Sequence, residues 1–121
     1  HLKVDIESFR EYCMAKPGVT EGFPFDNQTL VFKLMGKMFA LCDVDLFTFI
    51  NLKCDPERAI ELREQYEGIK PGYHMNKALW NSVYMDGTVP DNLTLELTDH
   101  SYELIAASLS KKLKEELANS Y

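Results

Sequence analysis

IKPGYHMNKALWN, residues 69–81, is the stretch around which the chain is organised, and it contains the only tryptophan, Trp80. Pro71 restricts the backbone angle φ and Gly72 relaxes it, so the chain is predicted to turn here. Behind the turn, aromatic rings alternate with hydrogen-bonding groups: Tyr73, His74, Asn76, Lys77, Trp80 and Asn81. Such a mixture is unfavourable to bury and is frequent in binding surfaces. The alternative interpretation is that the tryptophan and tyrosine anchor a small core.

The length of 121 residues predicts a single domain, residues 1–121, with a sizeable core. Hydrophobic residues make up 45% and charged residues 26%, a composition typical of a globular protein. No apolar run reaches the length of a membrane span and no signal-peptide pattern is present, so a cytoplasmic protein without a membrane partner is expected. The chain starts at His1 without a methionine, which is compatible with a purification-tag remnant.

The cysteines predict neither a disulfide framework nor a metal site. Cys13, Cys42 and Cys54 are odd in number and widely spaced. Zinc sites and disulfide-rich domains use closely paired cysteines. We therefore expect three reduced, buried thiols and no cofactor.

The charge is unevenly distributed. The net charge of −6 argues against general affinity for phosphate backbones. Residues 27–42 and 68–85 nevertheless contain no acid, and they include Lys33, Lys37, Lys70 and Lys77. Two acid-free segments in an acidic chain predict a locally positive surface. The alternative explanation is that acidic residues are concentrated in the helices by chance, which gives the same pattern.

The first half of the chain predicts a helix and a hairpin. Asp5 caps a helix that ends at Lys16-Pro17-Gly18, and a loop follows. Residues 29–35 and 38–42 form a hairpin with Gly36-Lys37 as its two-residue turn. This register places five apolar side chains on one buried face: Leu30, Phe32, Leu34, Phe39 and Leu41.

The second half predicts one more strand, a helix, a second hairpin and further helices. Residues 48–53 form the strand, and Asp55-Pro56 starts a helix that runs to about Tyr66. Residues 73–76 and 80–85 form the hairpin. A short helix follows from Pro90 to about Leu97, and Asp99 caps a longer one whose buried stripe is Tyr102, Ile105, Ala106, Leu109, Leu113 and Leu117. The predicted class is α+β with an antiparallel sheet.

No known catalytic pattern is present. The sequence lacks a phosphate-binding loop, a G-x-S-x-G elbow and an H-E-x-x-H zinc motif. One enzymatic alternative is a nucleophilic Cys42 or Cys54 activated by His74, because such partners meet in space rather than in sequence. Our prediction is that the protein is not an enzyme.

Several segments resemble, in order, the YjbR/MmcQ family: residues 36–40 (GKMFA), 52–57 (LKCDPE), 71–77 (PGYHMNK), 80–81 (WN) and 101–102 (SY). The resemblance covers nearly the whole chain. It implies a domain of helix, three strands, helix, two strands and helices, which is similar to frataxin-like (CyaY-like) and secretion-chaperone-like folds. Members of the family are described as having a double-wing motif and are often described as DNA-binding. Ala78-Leu79 departs from the family pattern, which often has a basic residue or a histidine there.

Two functions are therefore expected, and they need different surfaces. The first is weak, largely non-specific DNA binding, with a lysine set on phosphates and Tyr73 or Trp80 stacking on bases; the lysines are Lys33, Lys37, Lys53, Lys70 and Lys77. The second is a module in which residues 73–81, including His74, Asn76 and Asn81, bind a protein or a small acidic ligand. DNA binding needs the lysines on one open surface, whereas the module needs a concave pocket near His74 and Trp80.

Overall fold

The computed structural model describes residues 4–119, so His1 lies outside the described residues. Within that range the chain forms four helices and six strands, in the order α1 (Ile6–Met14), β1 (Val19–Gly22), β2 (Thr29–Leu34), β3 (Lys37–Asp43), β4 (Phe49–Lys53), α2 (Pro56–Gln65), β5 (Ile69–Pro71), β6 (Trp80–Tyr84), α3 (Asp91–Ser108) and α4 (Lys111–Asn119). The predicted α+β class with an antiparallel sheet is confirmed. Among these residues, no helix is both long enough and apolar enough to cross a bilayer.

Two of the predicted helix starts, at Asp5 and at Asp55-Pro56, are correct. At α1, the Asp5 carboxylate accepts a hydrogen bond from Ser8 N at 2.8 Å, and the Ser8 hydroxyl accepts one from Asp5 N at 2.9 Å. At α2, the Asp55 side chain accepts from Arg58 N at 3.2 Å, and Pro56 occupies the first turn. Both arrangements satisfy amide groups that a helix start leaves without partners.

The helices cover one face of the sheet. The strands lie in the order β1-β2-β3-β4-β6-β5, and every pair is antiparallel. Buried side chains of α1, α2 and α3 belong to one large apolar cluster, together with alternate residues of the strands. The predicted stripe from Tyr102 to Leu117 packs in this cluster, where the Tyr102 and Phe39 rings meet edge-to-face at 5.5 Å. A second, smaller cluster contains Val31, Leu41 and Trp80 and lies on the opposite face, which we call the open face.

The predicted register of the first hairpin is wrong by two residues next to the turn and by one residue beyond Phe39. The turn is Met35-Gly36, both at positive φ, so Leu34 pairs with Lys37 rather than with Phe39. Positive φ at both central residues is the type I′ geometry that matches strand twist. A bulge at Phe39 then shifts the pairing by one residue, which reverses the predicted facing of the residues that follow it.

Four of the five side chains predicted on one face do lie together in the large cluster: Leu30, Phe32, Leu34 and Phe39. Leu41 is the exception, because the bulge turns it to the open face beside Val31. Ala40 and Cys42, which the predicted register assigned to the other face, belong to the large cluster instead.

Three further elements differ from prediction. The residues of β1 were predicted as a loop. The strand has only four residues, between Gly18 and the Phe23-Pro24-Phe25 segment, and it lies at the sheet edge. The partner of β6 is β5 rather than residues 73–76, which form a loop. α3 continues through Asp99 without a break, because that carboxylate binds the Tyr12 hydroxyl and Lys16 instead of capping a new helix. The predicted long helix from Asp99 is instead divided between α3 and α4, which are separated at residues 109–110.

Candidate functional site

The loop of residues 72–79 crosses the open face and is held by its own side chains. Gly72 N donates to Trp80 O at 2.9 Å, which closes the loop at its base. Lys77 Nζ donates to Gly72 O at 2.6 Å, and the Asn76 side chain accepts from Ala78 N at 2.9 Å. A Cβ atom on Gly72 would lie 2.7 Å from Trp80 Cβ, so this position needs glycine for close approach.

The loop is clamped to the sheet at Tyr73. Tyr73 N donates to Ser82 Oγ at 2.9 Å, and Tyr73 O accepts from Asn51 Nδ2 at 3.1 Å. The Ser82 hydroxyl in turn donates to Asn51 Oδ1, which closes a ring of three hydrogen bonds. Asn51 and Ser82 are buried, and Tyr73 is 55% exposed above them. The clamp fixes the backbone just before His74, whose φ of 58° is in the left-handed region.

Between this loop and the central strands lies a groove of about 730 Å³. Its described lining is mostly aromatic and aliphatic, and includes Phe25, Met38, Leu41, Leu46, Phe49, Tyr73 and Met75. The polar members are Thr29, Asp43, Thr48, Asn51, His74 and Asn76, and Cys42 completes the set. Phe25 and Leu46 are 64% and 78% exposed, which is unusual for large apolar side chains and typical of binding sites.

Aromatic rings form the wall of the groove next to the loop. The Phe49 ring contacts the Tyr73 ring edge-to-face at 5.8 Å and lies 5.1 Å from the Tyr84 ring. The His74 ring lies 4.1 Å from the Tyr73 ring. Lys70 Nζ lies 5.3 Å from the centre of the Tyr84 ring on the same sheet face, so this cluster already contacts one ammonium group.

The five predicted lysines do not share one surface. Strand registers place Lys33, Lys53 and Lys70 on the open face. Lys37 pairs with Leu34 on the helix-covered face, where its Nζ lies 3.3 Å from Ser108 O. Lys77 holds the loop, as described above.

The other predicted site residues are divided between the two faces. Tyr73, His74 and Asn76 line the groove. Trp80 is 8% exposed and belongs to the small cluster of the open face, so it anchors a core and is not available for base stacking. Asn81 lies on the helix-covered face, where its Nδ2 donates to Ala59 O at 3.3 Å and its Oδ1 has no partner among the described residues.

The alternative of a Cys–His nucleophile lacks support from the geometry. All three cysteines are free and buried. Burial raises the pKa of Cys42 to about 12 and that of Cys54 to about 11, whereas a nucleophilic thiol needs a lowered pKa. Cys42 also belongs to the large apolar cluster. Residues 4–119 contain no group of three His, Cys, Asp or Glu side chains that could hold a metal.

Sequence reasoning missed most of the groove. Phe25 and Leu46 lie outside the predicted helices and strands, and Phe49 lies in a predicted strand, so only the fold brings the three side chains together. Asn51 and Ser82 did carry a signal, because a polar residue within an apolar strand needs a buried partner. The partner could not be named, since it is the backbone of Tyr73.

Comparison with known proteins identifies the family. The model of the YjbR family matches residues 14–104. The chain belongs to the YjbR family. The Escherichia coli K12 protein YjbR is 37% identical over 99 residues, covering 81% of this chain and 84% of the relative. Escherichia coli O157:H7 YbdF is 36% identical over 107 residues, covering 88% of each chain.

Solved structures of similar proteins have the same fold. A crystal structure of a Deinococcus radiodurans protein with a DUF419 domain is 39% identical, with a TM-score of 0.88 over 97% of this chain and 92% of that chain. A Pseudomonas syringae protein is 26% identical, with a TM-score of 0.70 over 84% and 98%. The solved structures therefore agree with the fold described above.

Proposed function

We propose that the protein is a non-enzymatic binding module whose groove on the open face takes a small, largely apolar molecule. The observation that carries the proposal is the groove itself, with a volume of about 730 Å³ and a mostly apolar lining. Small-molecule sites typically have volumes of about 300–1,000 Å³ and an apolar lining with a few polar groups. The clamp at Tyr73 supports the same function, because it holds one wall of the groove in place before a ligand arrives.

The position of the groove favours a small molecule over an extended peptide. Its strand residues come from β2, β3 and β4, and each of these strands is paired on both sides. A peptide that binds by adding a strand needs a free sheet edge. The free edges are β1 and β5, and neither contributes a residue to the described lining.

The test uses N-phenyl-naphthylamine, an uncharged aromatic probe whose fluorescence rises in apolar surroundings. We expect saturable binding to one site. Phe25→Ser with Leu46→Ser should weaken it about tenfold or more, because the probe loses apolar contact area. Both side chains are largely exposed, so the fold should be unaffected.

Ile60→Ser is the matched control, since Ile60 is 53% exposed on α2 and does not line the groove. It should bind the probe as the wild type does. Non-saturable binding, or equal loss in Ile60→Ser and the double variant, contradicts the proposal.

The second candidate function is weak, non-specific DNA binding, as the double-wing description of the family implies. The supporting observation is that Lys33, Lys53 and Lys70 occupy the open face together. Three phosphate contacts predict a log–log salt slope near −3, and the net charge of −6 predicts an affinity of about micromolar or weaker.

Salt-dependent binding to a short DNA duplex tests this candidate. Lys33→Glu with Lys70→Glu should abolish binding, because it reverses two charges on the open face. Lys111→Glu with Lys112→Glu on α4 changes the net charge equally and should retain it, apart from a small general loss. Absence of binding by the wild type even at low salt excludes the DNA function.

A further inference from the structure

We infer that the ligand of the groove is an aromatic amine in its protonated form, with its ammonium group bound to Asp43. This inference rests on the proposed function and names the chemical class of the ligand. It also replaces the small acidic ligand expected from the sequence. The argument depends on three features of the groove: its one carboxylate, its aromatic wall and the charge of the whole chain.

Asp43 is the one carboxylate among the described residues that line the groove, and no lysine or arginine joins it there. Its Oδ1 accepts hydrogen bonds from Asp45 N at 2.8 Å and Leu46 N at 2.9 Å, which fixes the side chain at the end of β3. Within residues 4–119 no hydrogen bond reaches Oδ2 and no cation pairs with the carboxylate. A positioned carboxylate with a free acceptor on an apolar cavity favours a cationic donor from the ligand.

The aromatic wall complements the same ligand. Phe25, Phe49 and Tyr73 offer ring faces and edges to an apolar body, and ring faces also attract cations. The contact of Lys70 Nζ with Tyr84, next to Phe49, is an ammonium–ring contact of this kind within the protein. The side chains therefore match an aromatic body at one part of the groove and a positive charge at another.

The net charge of −6 acts in the same direction over longer distances. It raises the local concentration of cations and opposes the approach of anions. A general field of this kind does not select Asp43, so the experiment has to separate the two effects.

The experiment compares three ligands with one ring system: naphthylmethylamine, naphthylmethanol and naphthoate, measured by titration calorimetry at neutral pH. In the wild type the amine should bind about tenfold more tightly than the alcohol, because a charge-assisted hydrogen bond is stronger than a neutral one, and the carboxylate should bind most weakly. The preference for the amine over the alcohol should shrink as salt is added, while the affinity of the alcohol stays constant.

Two isosteric variants locate the charge. Asp43→Asn keeps the Oδ1 acceptor for the turn and removes the charge, so the amine should bind only as tightly as the alcohol. Asp45→Asn removes the same charge two residues away, from an exposed side chain that does not line the groove, and should keep the amine preference.

The outcomes distinguish this inference from the proposed function. If the amine and the alcohol bind equally well to the wild type, or if Asp43→Asn keeps the preference, the amine inference is wrong while the groove remains a binding site. Equal loss in Asp43→Asn and Asp45→Asn also overturns it, because the general field then explains the preference. If none of the three compounds binds, the proposed function itself fails. The comparison of the amine with the alcohol on the wild type keeps the inference falsifiable even if a variant does not fold.

Discussion

Gly72 is required for a different reason from the one that its sequence context indicates. Pro71-Gly72 predicts a turn in which glycine supplies unusual backbone angles. In the structure the φ angle of Gly72 is ordinary, and the constraint is space, because Trp80 Cβ, Trp80 O and Met75 Cβ surround the position of an added Cβ at 2.7–3.1 Å. The sequence therefore identifies the residue, while the reason depends on Trp80 lying against the loop.

Gly72→Ala should consequently destabilise the protein by about 1–3 kcal/mol, which is the usual effect of overpacking against backbone and Cβ atoms. Chemical denaturation measures the change. Gly22→Ala is the control, since nothing lies within 4 Å of a Cβ there and φ is not positive. We expect that change to be neutral or slightly stabilising. Equal losses in the two variants contradict the close-approach explanation.

Helices could be predicted from the sequence where a capping residue marks their first turn. Asp5 and Asp55-Pro56 start helices because their side chains satisfy nearby amide groups, and both starts are correct. The hairpin register was not predictable in the same way, because Met35-Gly36 and Gly36-Lys37 are both acceptable turns locally. At the bulge, the Phe39 ring contacts the rings of Phe32 and Tyr102, and Tyr102 is distant in the sequence. A local pattern therefore cannot show that Leu41 leaves the core.

The long helix α3 is connected to the start of α2 through His100. Asp55 N donates to His100 Nε2 at 3.2 Å, so the imidazole acts as an acceptor and must be neutral at that nitrogen. Burial, followed by the nearby Arg58, lowers the pKa of His100 from its ordinary value. The unfolded chain therefore takes up a proton on this histidine at a higher pH than the folded chain does. The stability contributed by neutral His100 is present above the unfolded pKa and is lost as the pH falls below it.

His100→Gln should reduce this pH dependence, because the glutamine Oε1 can accept from Asp55 N without titrating. Between about pH 7.5 and 5.5 the urea midpoint of the wild type should fall more than that of the variant. The two proteins should differ least at the upper pH. Parallel loss of stability in both proteins across this range shows that His100 does not contribute.

For the whole molecule, the sequence predicts the fold class and the family better than the site. Apart from β1 and the partner of β6, the order of helices and strands agrees with the structure, as do the apolar stripe of the C-terminal helices and the family resemblance. The groove combines residues from four separate parts of the chain: residue 25, residues 29–43, residues 46–51 and residues 73–76. No local spacing connects these parts, because their contact depends on the register and on the path of the 72–79 loop.

The lysines illustrate the same limit. Lys33 and Lys37 belong to one acid-free segment, and their spacing of four residues across a turn gives no face assignment by itself. Register and turn type send Lys33 to the open face and Lys37 to the carbonyl end of α3. Lysines that composition assigns to one positive surface are therefore distributed over both faces of the sheet once the strands are paired.

Alternation along β3 and β4 has a consequence for how the family can diverge. Ala40, Cys42, Ile50 and Leu52 face the helices, while Leu41, Asp43, Phe49 and Asn51 face the groove, so neighbouring residues have separate tasks. Under the proposed function, substitutions at the groove positions would change ligand contacts with little effect on the helix-covered core. Gene duplicates with this fold would then acquire new ligands through single substitutions at the groove positions that are not buried.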